Sequence, residues 1–343
     1  MKVNTITIPS IFESSYGNAE NMASGLLTGM RIKQEDKWYM VGELAKRNGI
    51  NPHRIINAAP SEEDYEILFK AALLSVHQQV ESPLTVTLGL PFSTFNAYQR
   101  EVERFLDKKF FTIEYDSSTY ANKGGVQKVN VEIAKFDVIP ELVGNIVGLK
   151  KILQNNHPEN FIMISLGYGT AEGGMVTPEG LLQRSSFSTH GLRYVITNAH
   201  KELSKRHYLE LKNEFQINDA LNKGYMFVNR KNIDLKGIRE EIITQYYKEV
   251  ISPLIRSNFS DRDFESAEKI YITGGGVYFE DLVDCFNNEF RDVLKVELAP
   301  FPEKLASIGY LHHAMRMSDG NNAHCVGIDL GNSSTVVSVP KAD

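Results

Sequence analysis

The stretch Gly327-Ile328-Asp329-Leu330-Gly331-Asn332-Ser333-Ser334-Thr335 decides how this chain is read. With Cys325-Val326 before it and Val336-Val337-Ser338-Val339 after it, it describes a strand, a tight loop of small polar residues and a second strand. Small residues let backbone come close to a phosphate and turn consecutive N–H groups towards it, and hydroxyls add donors. Asp329, at the end of its strand, is placed to hold water on a hard cation such as Mg2+, which prefers oxygen ligands and keeps much of its hydration. An isolated hairpin is only marginally stable in water, so this one must complete a sheet supplied by something else. The polar linker Ser318-Asp319-Gly320-Asn321-Asn322 leads into it.

Working outward, two more turns share the design of an apolar strand that stops abruptly at small residues. They are Ser165-Leu166-Gly167-Tyr168-Gly169-Thr170 and Gly274-Gly275-Gly276, the latter followed by Val277. A glycine after a strand is most often a plain turn, so each loop alone says little. Their joint occurrence points to a site for phosphates.

Composition sets the bounds. The 343 residues, 42% hydrophobic and 23% charged, suffice for two packed domains. A net charge of −6 argues against a surface that neutralises many phosphates, so direct nucleic-acid binding is not expected. Cys285 and Cys325 lie far apart and form no CxxC, which suggests neither a disulfide framework nor a cysteine zinc site. The first residues lack the apolar core of a signal peptide, and no apolar run approaches the ~20 residues that span a bilayer, so a cytoplasmic protein without a membrane partner is expected.

Strand and helix patterns interleave, which indicates an α/β class. Strands are expected over Val3–Ile11, Trp38–Gly42, Leu84–Pro91, Phe110–Tyr115, Gln127–Ile133, Phe161–Leu166 and Lys269–Thr273. Helices are expected over Glu43–Asn48, an N-capped Ser61–Val80, Tyr98–Leu106, Pro140–Leu153, most of His190–Phe215, Leu235–Ile255, Glu280–Phe290 and a segment ending near Met317. The basic stretch Lys201, Lys205, Arg206, His207 and Lys212 is interrupted by Glu202, Glu210 and Glu214 and reads as a solvated helix face. Trp38 reads as packing, and His312-His313 lack metal-ligand partners at useful spacing.

The three loops together resemble the actin-like ATPase superfamily, with further similarity to its plasmid-segregating ParM group and the bacterial and archaeal relatives, while the first loop, with Val336 in place of lysine, resembles the chaperone version more closely. Gly327–Gly331 looks like the first phosphate motif, Ile164–Glu172 like the second and Ile270–Val277 like the adenosine motif. Val138–Gly144 resembles the first connecting helix and Pro302–Gly309 the second, while Tyr39–Ala45 and Gly89-Leu90-Pro91 are similar to ParM. The resemblance implies a two-lobed actin-like ATPase fold of ribonuclease H-like repeats, with domain I over residues 1–147 plus 303–343 and domain II over 148–302. It also implies ATP or GTP with Mg2+, filaments formed by self-association, and a DNA-bound adaptor if the role is plasmid segregation. The nucleotide would lie between the lobes, gripped by Asp329, Gly331, Asn332, Ser333, Ser334 and Thr335 from one side and by Gly167, Tyr168, Gly169 and Thr170 from the other. Gly274, Gly275, Gly276 and Val277 would pass under the adenosine.

The order departs from the family. The first phosphate hairpin usually opens the chain and is followed by a strand resembling Lys2–Ile11, so joining Val339–Asp343 to Met1-Lys2-Val3 would restore the usual order. A circular permutation, cut in a surface turn, follows; exchange of the hairpin with a neighbouring subunit is the alternative. Glu141 matches the family's residue that orients the attacking water, or is simply a helix N-terminal acid after Pro140. Ser165 stands where many relatives carry a metal-holding aspartate, Glu172 where a second aspartate is common, and Val336 where ParM and actin carry lysine. Three functions remain open on these residues: a polymerising ATPase, a nucleotide-gated scaffold that hydrolyses poorly, and a small-molecule kinase on the same fold.

Overall fold

The computed structural model describes residues 2–54, 59–207, 214–228 and 230–341. The chain divides into two compact units, Met1–Ile152 with Lys304–Asp343, and Leu153–Glu303.

The C-terminal hairpin, Cys325–Leu330 and Ser334–Pro340, lies inside the sheet of the first unit. Ser334–Pro340 pairs antiparallel with Val3–Pro9, from Val3 opposite Pro340 to Pro9 opposite Ser334. Cys325–Leu330 pairs parallel with Leu84–Leu90, with Ile328 opposite Leu88. The hairpin therefore pairs within its own chain, and Lys341 N–H donates to Lys2 O at 2.9 Å where the two ends meet. The expectation that 342, 343 and 1 continue this junction falls outside the described residues.

From Leu84–Leu90 the ten-stranded path continues through Val126–Pro140, Phe110–Asp116, Arg31–Gln34, Lys37–Val41, Ile11–Ser14 and His53–Arg54. Val126–Pro140 is one strand of 15 residues, longer than the alternation over Gln127–Ile133 indicates. Its first half pairs antiparallel with Phe110–Asp116 and its second half parallel with Leu84–Leu90, so each half has its own neighbour. Helix Glu63–Val76 lies against this sheet with Phe69, Leu73 and Leu74 in the core. The expected side-chain cap at its start is absent: Glu62 occupies the N-cap position, and the first-turn acids Glu63, Asp64 and Glu66 face the helix dipole instead.

Helix Leu305–Met317 rests on the hairpin at near-backbone distance. A Cβ on Gly327 would strike Ser307 O and Leu311 N, and one on Gly309 would strike the Gly144 carbonyl of helix Glu141–Leu153. The ring of Tyr310, fully buried, fills the space left by Gly89 and Gly144. Ser307 and Ser338 join hydroxyl to hydroxyl at 2.8 Å across the same contact. These helices approach so closely because their facing positions lack side chains.

The second unit carries a six-stranded sheet with the path Gly180–Leu181, Thr170–Thr177, Phe161–Leu166, Lys269–Thr273 and Lys295–Leu298, and Phe187–His190 pairs with Thr170–Thr177. The long helical stretch from His190 resolves into Arg193–His207 and Glu214–Lys223; 208–213, including Glu210 and Lys212, fall outside the described residues. Lys205 and Arg206 pair with Glu202 on the helix surface. The expected helix over Leu235–Ile255 is interrupted: helix Lys236–Tyr246 passes into a π-turn at Tyr247–Ile251 before Ser252–Asn258. Pro253 cannot donate a backbone hydrogen bond, and the wider turn accommodates the loss. Arg184 grips the buried Asp263 carboxylate, Nη1 to Oδ2 at 2.8 Å, while Asp263 accepts from Ser260 N–H at its helix start.

Gly309→Ala should destabilise the first unit by about 1–3 kcal/mol, since the added methyl meets a backbone carbonyl that cannot move alone. Urea unfolding measures it; an unchanged midpoint would contradict the helix contact.

Candidate phosphate-binding site

The first loop is closed by its own backbone and pinned from the N-terminal strand. Leu330 pairs with Thr335, leaving Gly331, Asn332 and Ser333 to turn the chain. A Cβ on Gly331 would sit 2.8 Å from Ser334 O, so this turn needs glycine. Ser10, just after Pro9, donates its hydroxyl to Gly331 O at 2.6 Å, gives its N–H to Ser333 O at 3.1 Å, and meets Thr335 Oγ1 at 3.0 Å. Thr335 is fully buried in that contact, whereas Asn332, Ser333 and Ser334 are half-buried. Ser10 is a loop-shaping residue that sequence patterns did not mark; it had only the signal of a polar residue after a strand-ending proline.

Asp329, at the end of its strand, is half-buried. Loss of water pushes its carboxyl well above the ordinary value of 3.8, and the Glu141 carboxylate pushes it further in the same direction. Glu141 is the first residue of helix Glu141–Leu153, which follows Val126–Pro140 without a break. One unit thus brings two carboxylates into each other's field at the mouth of the loop. Among the described residues no group of three or more His, Cys, Asp or Glu could hold a metal ion. Two carboxylates that disfavour each other's charge are hard oxygen donors of the kind Mg2+ takes, and a cation between them would relieve that repulsion.

The second loop repeats the first in backbone form. Leu166 pairs with Ala171, and a Cβ on Gly167 would sit 2.7 Å from Thr170 O, as in the first loop. Gly167, Tyr168 and Gly169 each offer their carbonyl to a backbone N–H, of Leu192, Arg193 and Gly191 respectively, at 2.8–3.0 Å. The carbonyls are thereby turned to the start of helix Arg193–His207. Tyr168 is buried, and its hydroxyl donates to Glu214 Oε2 at 3.0 Å; Arg193 Nε donates to Glu214 Oε1 at 3.0 Å. This Tyr168–Glu214–Arg193 set was not anticipated, because its members are separated by more than 20 residues.

Ser165 corresponds to Asp329 in this repeat and is buried. Directly across the hairpin from it stands Glu172, whereas Val336 stands across from Asp329. Directly opposed residues share one face of an antiparallel pair, so a carboxylate lies on the Ser165 face from the partner strand. Glu172 is fully buried, and Ser188 Oγ donates to its Oε1 at 3.2 Å. Thr273 is aligned with Ser165 on the other side, and its hydroxyl donates to Pro302 O at 2.9 Å.

Gly274, at φ 85°, packs onto the end of Phe161–Leu166: a Cβ there would lie 2.6 Å from Leu166 O, and one on Gly276 2.5 Å from Leu166 Cβ. Gly274 N–H donates to Pro302 O at 3.1 Å. A Cβ on half-buried Gly275 would meet only Glu303 Oε1, at an ordinary 3.7 Å, and Val277 is buried in the short turn Gly275–Tyr278.

Residues 2–144 match the family described as "Actin like proteins N terminal domain". A ParM protein solved as the pCBH non-polymerisable quadruple mutant superposes with TM-score 0.73 at 20% identity, covering 90% of this chain and 92% of that one. A 15-stranded ParM filament from Clostridium botulinum gives 0.69 at 19% identity, with 90% and 92% covered. The archaeal actin homolog Ta0583 in complex with ADP gives 0.62 at 16% identity, again with 90% and 92% covered. None of the curated proteins matches significantly. The resemblance read from the motifs is borne out in its coarse form: residues 2–144 match the actin-like N-terminal domain model, and the chain has the actin-like fold.

A carboxyl whose folded value is raised binds its proton more tightly in the folded state, so stability falls as pH rises from 3.8 through the raised value. In metal-free buffer, Asp329→Asn should therefore melt at a higher temperature than the parent at pH 7, and the difference should shrink towards pH 4. Equal melting curves across that range would contradict the burial of this carboxyl.

Proposed function

We propose that this protein is an actin-like nucleotide-binding protein that assembles into nucleotide-dependent filaments. The observation that carries the reading is the pair of hairpin loops with the same glycine-closed turn, one in each unit, each following an apolar strand. Each loop is proposed to hold phosphate: in the first unit Gly331, Asn332, Ser333 and Ser334, in the second Gly167, Gly169 and Thr170. Thr335 and Tyr168 act behind them, one by fixing Ser10 and the other by fixing Glu214. A fold shared with a protein solved with ADP and with a filament of ParM supports nucleotide and self-association as the two properties to test.

Asp329 and Glu141 would hold the water around Mg2+ and orient the attacking water. Mg2+, when bound, would supply charge neutralisation at the phosphates, while this chain's residues supply position. Hydrolysis is the preferred reading over a scaffold with weak turnover because Glu172 adds a carboxylate on the face where Ser165 has none. The base is assigned to Gly274–Val277, with ATP or GTP as the nucleotide. A cytoplasmic setting and a DNA-bound adaptor for plasmid segregation belong to the same proposal, and they rest on family analogy. The position of the first phosphate hairpin at the C-terminal end is proposed as a circular permutation, supported by its antiparallel pairing with Val3–Pro9.

Binding of a fluorescent ATP analogue should require Mg2+ and weaken at least tenfold in Asp329→Ala, read by anisotropy. Phosphate release should rise as polymer forms, followed by light scattering in the same sample. Release that stays at background while filaments form would select the scaffold reading; absence of nucleotide binding would reject the proposal.

A further inference from the structure

Two surface features lie apart from the phosphate loops. The first belongs to the second unit: strands Tyr225–Val228 and Lys231–Asp234 form a separate two-stranded hairpin. Its outward face carries Tyr225 and Phe227, 42% and 68% exposed and packed edge to face with ring centres 5.7 Å apart. Arg230, at φ 65°, and Lys231 are exposed at its turn. Adjacent exposed aromatics on the outward face of a hairpin are costly in water unless something covers them.

The second feature belongs to the first unit. A half-open groove of about 490 Å3 is lined by Tyr16, Gly17, Arg31, Trp38, Asp116 and Val126 among others. Its floor is fixed: the buried Arg31 guanidinium donates to Asp116 Oδ2 and to Gly17 O, both at 2.8 Å, and lies 5.1 Å from the Trp38 ring centre. Its rim is apolar and unfilled, with Tyr16 87% and Val126 58% exposed. The exposed acids Glu35 and Asp36 stand at the adjoining turn beside the exposed Lys37, with Asp36 and Lys37 in the lining itself, so the turn is acidic by one charge. The groove has ligand-pocket dimensions, and each aromatic side chain can bury ~150–250 Å2.

We propose that the Tyr225/Phe227 hairpin of one copy docks into the Trp38 groove of a second copy, with Arg230 and Lys231 set against Glu35 and Asp36. The two cations of the hairpin turn against a groove turn that is acidic by one charge, and the match of an aromatic pair to an aromatic and guanidinium floor, select a second copy as the occupant. Knob and groove are different patches, so the contact is heterologous; each copy presents one of each, and such contacts propagate into filaments unless a ring closes. The inference rests on the filament reading and names surfaces for it.

The test uses the full chain with Mg-ATP, sedimentation and a nucleotide-binding control. Tyr225→Ser/Phe227→Ser removes the knob and Val126→Arg blocks the groove, both at exposed positions. Each variant should bind nucleotide as the parent does and raise the critical concentration for polymer at least tenfold. A 1:1 mixture should form a dimer, because one intact contact remains between the two variants. The charge reversal Arg230→Glu/Lys231→Glu should likewise block assembly and be rescued in mixtures with Glu35→Lys/Asp36→Lys. Variants that polymerise like the parent, or a mixture that stays monomeric, would overturn this contact while leaving the filament reading intact. A parent protein that binds nucleotide yet never assembles would overturn both.

Discussion

The structure depends on one insertion: the hairpin Cys325–Pro340 completes the sheet between Val3–Pro9 and Leu84–Leu90. Both of its flanks are bonded, antiparallel on one side and parallel on the other. Without it, two strands would present unpaired backbone groups, each costing on the order of 1–3 kcal/mol when buried. The same insertion sets the helices. Leu305–Met317 can lie on the hairpin only because Gly327 has no side chain, and it meets Glu141–Leu153 only because Gly144 and Gly309 have none. Tyr310 then occupies the remaining volume, so strand pairing and helix packing become one constraint.

That constraint also places the chemistry of the first unit. Asp329 is carried to the sheet end by its strand, and Glu141 arrives there because Val126–Pro140 feeds straight into its helix. Two carboxylates meet with little water, and the charge they resist holding is the charge a hydrated cation would neutralise. The second unit builds the same turn with a different distribution of charge. Its hairpin has a hydroxyl at Ser165 and places the acid across the ladder at Glu172. Backbone form is repeated while the distribution of charge differs.

Much of this was legible locally. The helix Glu43–Asn48 stops at Gly49 as its residues indicate, and Lys269–Thr273, the glycine triplet and Glu280–Phe290 follow in order. Where local reading failed, a distant partner had decided the outcome. Val126–Pro140 extends past its alternating part because Leu84–Leu90 supplies a second ladder. Trp38, taken as packing, does pack, but on the Arg31 guanidinium at the edge of a groove.

By itself the sequence determined the α/β class, the strand-and-loop character of the phosphate segments and the glycines those turns need, because these follow from local sterics and periodicity. Tertiary structure alone decided that Ser10 closes the first loop, that Glu172 faces Ser165 and that Glu141 perturbs Asp329. Those relations join residues 7 to 325 positions apart, and only strand register and helix placement bring them within reach of hydrogen bonds and Coulomb forces. The C-terminal hairpin belongs to both accounts: its residues specify a strand pair, and the open ladders of Val3–Pro9 and Leu84–Leu90 specify where it must go.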